Sequence, residues 1–160
     1  MARFRTTLIT DAPADGVLER LGDFATIADW DPGVTSARRL SGEPGQVGTR
    51  YAVDFAFGPR NLPLEYEVVQ RAEPEGGQAG HVVLIAKSGS FTLHDTITVQ
   101  GTPTGTEVTY DAVLTLHGPS RVMDWPLDRI FQIIGRRSQA GLHAELASVA
   151  QAQAGSAEWT

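Results

Sequence analysis

Cysteine is missing from the sequence, and its absence removes several kinds of chemistry at once. Without cysteine the chain can form no disulfide, offer no thiolate nucleophile and build no cysteine-based zinc site. Histidine does not compensate, because no two of the four histidines have the spacing of metal ligands. They are His81, His94, His117 and His143. The sequence therefore predicts neither a metal site nor a bound cofactor.

Basic residues and long apolar runs are also scarce. Thirteen Lys and Arg residues stand against nineteen Asp and Glu residues, which gives a formal net charge of −6. A surface that follows nucleic-acid phosphates needs the opposite balance, so no nucleic-acid partner is expected. No window approaches 18 uninterrupted apolar residues, and the first ten residues lack the apolar run of a secretion signal. We therefore expect a cytoplasmic protein without stable membrane insertion.

The motifs of two large enzyme classes are missing as well. The serines of KSGSF, residues 87–91, do not form the pattern of a nucleophile elbow. No glycine-rich loop ends in Lys-Ser or Lys-Thr, the pair that follows the phosphate-binding loop of many nucleotide-binding proteins. Hydrolase and nucleotide-binding functions therefore lack the residues they need.

What the sequence does have is the size and composition of one globular domain. Its 160 residues are 41% hydrophobic and 20% charged, with no low-complexity tract and no repeat at a fixed period. A chain of this length buries roughly 70% of the surface that its unfolded form exposes, which is enough for one core. We expect a single domain over residues 1–151, followed by a flexible tail over residues 152–160.

Seven segments have the composition of β-strands. The first, residues 3–10, precedes a helix for which Asp11 is the candidate cap and Pro13 a first-turn residue. Turn sequences such as SGEPGQVG and EPEGGQAG separate the later strands, which is typical of antiparallel hairpins. These six strands are predicted over residues 34–40, 47–57, 62–72, 81–87, 91–100 and 107–117.

One long helix follows the last strand. Asp124 is its candidate cap, Pro126 lies in its first turn, and apolar residues recur on one side as far as about Gln151. Gly141 lies inside this helix, where glycine costs about 1 kcal/mol relative to alanine. Glycine here suggests the close approach of a strand or a ligand, but a local bend of the helix is the simpler explanation.

Alternation along the strands makes one face of the sheet apolar and aromatic. Tyr51, Val53 and Phe55 share one side of their strand, and the same parity turns Tyr66 and Tyr110 inward. Such a face needs a covering layer, and the long helix can supply it. The predicted fold is α+β: a twisted, seven-stranded antiparallel sheet against a long C-terminal helix, with two short helices after strand 1.

The segment GDFATIADWDPGV, residues 22–34, has more apolar surface than a connection needs. Phe24, Ile27 and Trp30 lie among turn-forming residues, although loops usually run over the surface and are polar. We therefore expect this segment to cover something.

Five short stretches, distributed over nearly the whole chain, occur in an order and at spacings that are specific for one fold. They are DAPADGVLERLGDF, ADWDPGV, GQVGTRYAV, GTEVTYDAVLTL and GLHAELASVA. With them the chain resembles the START-like, or SRPBCC, superfamily, which includes polyketide cyclase/dehydrase-like, birch-pollen-allergen-like and coenzyme Q-binding proteins. The resemblance implies the helix-grip fold, in which the sheet wraps around the C-terminal helix. It does not decide function, because this fold hosts binders and enzymes alike.

The resemblance also implies a ligand cavity between the sheet and the long helix. Phe24, Ile27 and Trp30 would then cover one end of this cavity; the alternative is that they only fill a corner of the core. A small-molecule site of roughly 300 to 1,000 Å³ is expected. The residues expected to bind the ligand are Trp30, Tyr51, Phe55, Tyr66, Tyr110, Arg129, Phe131 and Ile134.

Two functions fit such a cavity. The first is that of an intracellular carrier for a hydrophobic molecule such as a lipid, an isoprenoid quinone or a polyketide-like ring. The alternative is a polyketide aromatase/cyclase or dehydratase that transfers protons in the same cavity. The carrier is favoured because no acid–base pair is required by residue spacing.

Asp95 is the candidate catalytic residue. It has the parity of Leu93 and Ile97, so it points inward unless a bulge resets the register. A buried carboxylate is costly without a partner, for which the candidates are Arg129 and the tyrosines Tyr51, Tyr66 and Tyr110. An ion pair with Arg129 would make Asp95 structural, whereas a tyrosine neighbour alone would suit proton transfer near neutral pH. We expect Asp95→Asn to change ligand affinity by less than about tenfold.

Overall fold

Seven antiparallel strands and three helices make up the part of the chain that this computed structural model describes. That part is residues 1–57, 59–118 and 124–157, with side chains described over 1–56, 59–118 and 139–155. The bounds are β1 Ala2–Thr10, α1 Ala14–Gly22, a 3₁₀ turn Phe24–Thr26, α2 Ile27–Trp30, β2 Val34–Ser41, β3 Arg50–Phe57, β4 Arg60–Ala72, β5 Gly80–Lys87, β6 Phe91–Thr102, β7 Gly105–Leu116 and α3 Asp124–Ala157.

The strands form one sheet in the order β1-β7-β6-β5-β4-β3-β2. Strands β2 to β7 are joined as successive hairpins, whereas β1 lies at the far edge from β2 because α1 and α2 carry the chain across. The sheet order, the two short helices after β1 and the long C-terminal helix confirm the predicted α+β helix-grip fold.

The inner face of the sheet carries the residues that alternation assigned to it. Tyr51 pairs with Tyr66, and Ile97 pairs with Tyr110, so apolar and aromatic residues line up across neighbouring strands. Tyr51, Tyr66 and Tyr110 are all buried in one core cluster. The predicted strand register is therefore confirmed, because a slip by one residue would have turned these rings to solvent.

Helix α1 begins later than the sequence predicts. Pro13 is its N-cap, with φ −63° and ψ 145°, and makes no side-chain capping bond, so Asp11 is not the cap. The fixed φ of proline suits a helix start, and the amide of Val17 donates the first helical bond to the Pro13 carbonyl at 3.1 Å. Val17, Leu18 and Leu21 form the buried face of α1, as their spacing predicts.

Helix α3 ends at Ala157 rather than at Gln151, so residues 152–157 continue the helix instead of forming a tail. The sequence AQAGSA lacks an apolar stripe, so the periodic pattern predicts an earlier end, but alanine has the highest helix propensity and needs no packing partner to continue a turn. Leu142 and Leu146 are buried and attach α3 to the core. None of the helices in the described residues has the length and apolar character needed to cross a membrane.

Candidate functional site

The segment between α1 and β2 turns its three large apolar side chains into the core. Phe24, Ile27 and Trp30 are no more than 1% exposed. The Phe24 ring lies 5.1 Å from that of Tyr66, and the Trp30 ring meets that of Tyr110 edge-on at 6.0 Å. The segment therefore covers the inner face of the sheet, which both the cavity interpretation and the core-corner interpretation require.

Helix α2 is held in place from two sides. The Arg20 guanidinium of α1 donates to Asp29 of α2 at 2.8 Å and also to Glu145 of α3. A Cβ at position 141 would overlap the carbonyl oxygen of Trp30. Only glycine therefore allows α3 to approach the end of α2 this closely. The glycine thus permits a close approach rather than a bend, and its partner is a helix end, neither the strand nor the ligand considered from the sequence.

The three inward tyrosines differ in what their hydroxyl groups do. The Tyr51 oxygen accepts a hydrogen bond from the backbone amide of Gly45 at 2.8 Å, which attaches the loop between β2 and β3 to the core. Burial raises the pKa of Tyr51 to about 12. The Tyr110 hydroxyl instead donates to Oδ2 of Asp95 at 3.3 Å. Tyr51 is therefore structural at its polar end, whereas Tyr110 belongs to a buried polar group.

Asp95 lies at the centre of this polar group. Its Cα partners are Leu84 on β5 and Ala112 on β7, and neither pairing of β6 shows a register shift, so no bulge turns the side chain outward. The residue is 2% exposed. No described residue donates a hydrogen bond to its second oxygen, Oδ1. The inward orientation predicted from parity is confirmed; Tyr110 makes a direct hydrogen bond to the carboxyl, and the Tyr66 hydroxyl also lies close enough to act on it.

The protonation of Asp95 is set mainly by its burial. Loss of hydration raises the pKa of this carboxyl from 3.8 to about 7, although the Tyr66 and Tyr110 hydroxyls favour the ionised form. The charges of Asp31 and Asp111 add to the rise. Burial, reinforced by Asp95, also raises the pKa of both tyrosines well above 10. Asp95 can therefore gain or lose a proton near neutral pH while its tyrosine neighbours stay neutral.

A second polar atom in this region also has no described partner. The indole Nε1 of Trp30 is buried, and no described residue accepts its hydrogen. Trp30 and Asp95 lie beside the same tyrosine, Trp30 against its ring and Asp95 at its hydroxyl. One donor and one acceptor are thus left over within one aromatic cluster. The sequence signalled the inward carboxylate through its parity, but it contained no signal for the free indole N–H.

Exposure along the inner face is graded from one end to the other. Near α1 and α2, Tyr51 and Tyr66 are fully buried. Near the β3–β4 and β5–β6 hairpins, four apolar side chains of the same face are only half-buried, although their neighbours Leu64, Leu93 and Leu116 are buried; the four are Phe55, Leu62, Phe91 and Leu114. Parity identifies all four from sequence, although only Phe55 was among the expected ligand-binding residues.

Three expected site residues lie outside the described side chains. Arg129, Phe131 and Ile134 belong to the backbone of α3, but the structure describes α3 side chains only from residue 139 onward. The volume of the predicted inner cavity therefore stays a prediction. A depression of about 540 Å³ lies on the opposite, outer face, where Arg50, Glu67 and Lys87 contribute to its lining. Within the described residues, no three His, Asp or Glu side chains are grouped so as to hold a metal ion.

Comparison with known proteins adds a family and a set of similar folds. The family model described as "Polyketide cyclase / dehydrase and lipid transport" matches residues 1–147. No curated protein matches the sequence.

Three solved structures illustrate the likeness in fold. A STAR-related lipid transfer protein fragment from Xanthomonas axonopodis has 20% identity and a TM-score of 0.69, covering 90% of this chain and 85% of that one. A START superfamily protein from Mycobacterium smegmatis has 13% identity and a TM-score of 0.65, covering 91% and 97%. The major latex-like protein 151 of Panax ginseng has 13% identity and a TM-score of 0.59, covering 90% and 96%. At these identities the likeness shows a shared fold and no more.

Proposed function

Since this chain belongs to the polyketide cyclase/dehydrase and lipid transport family, we propose that it binds a hydrophobic small molecule between the inner face of its sheet and α3. The molecule is a lipid, an isoprenoid quinone or a polyketide-like ring, and the protein acts as its carrier. Its cytoplasmic location remains a prediction from the sequence.

One observation carries this proposal: the apolar inner face is incompletely buried at one end. Phe55, Leu62, Phe91 and Leu114 keep part of their surface exposed, although the rest of the same face is packed. Removing apolar surface from water lowers the free energy by about 25 cal/mol per Å², so such a patch favours the binding of an apolar ligand. The proposed contacts are Phe55, Tyr66 and Tyr110 on the sheet, Trp30 and Tyr51 near α2, and Arg129, Phe131 and Ile134 on α3.

The direct test is chemical analysis of what the purified protein carries. An organic extract of freshly purified protein is analysed by mass spectrometry, beside two variants that each gain a bulky ring. Leu114→Trp fills the half-buried end of the inner face, whereas Val69→Trp enlarges a side chain that is 42% exposed. We expect one apolar compound in the wild type and in Val69→Trp, and at least about tenfold less of it in Leu114→Trp, equivalent to about 1.4 kcal/mol of binding free energy. Equal extracts from all three, or extracts without an apolar compound, would contradict the carrier.

A second candidate function is favoured by the state of Asp95. Burial raises the pKa of Asp95 to about 7, and the Tyr110 hydroxyl lies 3.3 Å from it, a combination suited to general acid–base catalysis. In such a reaction the carboxylate would take a proton from a carbon next to a ligand carbonyl, and a tyrosine hydroxyl would donate a hydrogen bond to the enolate oxygen. This is the proton transfer that a polyketide cyclase or dehydratase needs.

Deuterium exchange separates the two functions. 2-Tetralone, an aromatic ketone with enolisable protons, is incubated with the protein in D₂O and followed by NMR. The carrier predicts exchange at the rate of buffer alone, for the wild type and for Asp95→Asn. If exchange is faster with the wild type and returns to the buffer rate with Asp95→Asn, the protein is an enzyme and the carrier function is wrong.

A further inference from the structure

We propose that the site selects an apolar ligand bearing a neutral hydroxyl group, which donates its hydrogen to Oδ1 of Asp95 and accepts the indole hydrogen of Trp30. This inference rests on the proposed binding of a hydrophobic molecule on the inner face of the sheet, and it specifies the one polar group of that molecule.

The first step in the argument is that the two atoms are complementary. Oδ1 of Asp95 can accept a hydrogen bond and Nε1 of Trp30 can only donate one. Both atoms are buried and lack a hydrogen bond from a described residue, although the Tyr66 hydroxyl lies close enough to Asp95 to favour its ionised form. Buried polar groups are nearly always hydrogen-bonded, since leaving one unsatisfied loses the bond it had in water. A single hydroxyl group satisfies both, because it is a donor and an acceptor at once.

The second step is that the residues carrying these two atoms, Asp95 and Trp30, contact the same tyrosine. The Trp30 ring lies edge-on against the Tyr110 ring with centroids 6.0 Å apart, and the Tyr110 hydroxyl bonds to the other oxygen of Asp95 at 3.3 Å. Directly opposite Asp95 on β7 stands Ala112, which has a small side chain. Trp30 and Asp95 are therefore both neighbours of Tyr110, Trp30 at its ring and Asp95 at its hydroxyl.

The third step concerns which ligands are excluded. A ligand carboxylate would bring a second negative charge to a buried acid that already experiences the charge of Asp31. An ether or ketone could accept from Trp30 but would leave Oδ1 without a donor. A hydrocarbon would satisfy neither atom. The arrangement thus favours an alcohol or phenol over the acid, ether and hydrocarbon of the same skeleton.

Binding of four matched probes tests this selectivity. 2-Naphthol, 2-methoxynaphthalene, 2-naphthoic acid and naphthalene share one ring system and differ in the polar group. Isothermal titration at pH 8 is expected to show 2-naphthol binding at least about tenfold more tightly than the other three, equivalent to about 1.4 kcal/mol. In Asp95→Leu the preference for 2-naphthol over its methyl ether is expected to disappear. In Trp30→Phe, which keeps a ring but removes the N–H, both oxygen-containing neutral probes should lose affinity relative to naphthalene.

The control variant is Asp54→Leu, which removes a half-buried carboxyl from the outer face of β3, where it accepts a hydrogen bond from Ser36 at 2.7 Å. It should keep the wild-type order of affinities, and circular dichroism establishes that each variant is folded. If all four probes bind equally well, or if Asp95→Leu keeps the preference for 2-naphthol, the hydroxyl inference is wrong while the hydrophobic site stands. If no probe binds the wild type, both the proposed function and this inference are overturned.

Discussion

The carboxyl of Asp95 is held away from water among apolar neighbours, and this makes its protonation a property of the fold. An isolated buried charge is costly, so such groups shift their pKa instead of staying ionised. The Tyr110 hydroxyl and the nearby Tyr66 hydroxyl offset part of this cost, but burial dominates. The folded protein therefore retains a proton that the unfolded chain releases.

Asp95 should make the stability of the protein fall as the pH rises. Its pKa is 3.8 in the unfolded chain and about 7 in the folded one, so between these values the folded state binds more protons and unfolding releases one. The stability contribution is complete below about pH 4 and is lost as the pH passes 7. The difference in unfolding free energy between wild type and Asp95→Asn should fall by about 4 kcal/mol from pH 4 to pH 8. Urea denaturation at several pH values measures it.

Tyr110→Phe provides the matched comparison for this titration. Removing a hydroxyl that favours the ionised carboxyl should move the midpoint of the pH dependence upward. If the unfolding free energies of the wild type and of Asp95→Asn change in parallel across the whole pH range, Asp95 is not the titrating group.

At the scale of elements, the position of α2 depends on how closely α3 can approach it. The carbonyl oxygen of Trp30 at the end of α2 occupies the space where a side chain at position 141 would begin. Arg20 joins the same elements through Asp29 and Glu145, but Asp29 is 59% exposed and solvent weakens that contact. Gly141 therefore contributes more to the placement of α2 than the exposed ion pair between Arg20 and Asp29 does.

Gly141→Ala should destabilise the protein although alanine is the better helix former. Alanine would gain up to about 1 kcal/mol in helix propensity, but the overlap with a backbone oxygen cannot be relieved by rotating a side chain and forces α3 away from α2. We expect a net loss of about 1 to 3 kcal/mol, measured by urea denaturation.

Gly155→Ala is the control for that substitution within the same helix. An added Cβ at Gly155 meets nothing within 4 Å, so only the propensity gain of up to about 1 kcal/mol remains. Equal effects of the two substitutions would mean that the close approach at Trp30 has no energetic consequence.

At the scale of the whole molecule, one core joins the sheet, α1, α2 and the second half of α3. Leu142 and Leu146 are 1% and 2% exposed, whereas Ala152 and Gly155 are exposed. The end of α3 is therefore helical without being part of the core. We propose that residues 1–151 form the complete folding domain, even though the helix continues to Ala157.

A chain ending at Gln151 should fold with almost full stability. Deleting residues 152–160 removes helical turns that bury little apolar surface, so the expected loss is within about 1 kcal/mol. Leu146→Ala is the comparison, because truncating a buried leucine costs about 2 to 5 kcal/mol. Urea denaturation followed by circular dichroism compares the two, and a shortened chain as unstable as Leu146→Ala would place the last turns in the folding unit.

The fold and the composition of the inner face were determined by the sequence itself. Turn residues mark the hairpins, and alternation has a period of two, so the inward orientation of Tyr51, Tyr66, Tyr110 and Asp95 follows from local pattern. The cap of α1 and the end of α3 were not predictable in this way. Helix ends depend on single residues and on alanine-rich turns that carry no apolar pattern.

The chemistry at Asp95 was decided only by the tertiary structure. Which tyrosine serves the carboxyl depends on contacts between separate elements: the Gly45 amide binds the Tyr51 oxygen, whereas the Tyr110 hydroxyl reaches Asp95. The pKa of Asp95 follows from burial, which α1, α2 and the neighbouring strands create together. The free indole N–H of Trp30 results from packing as well. Period and propensity act over a few residues, while hydration and hydrogen bonding depend on residues far apart in the chain.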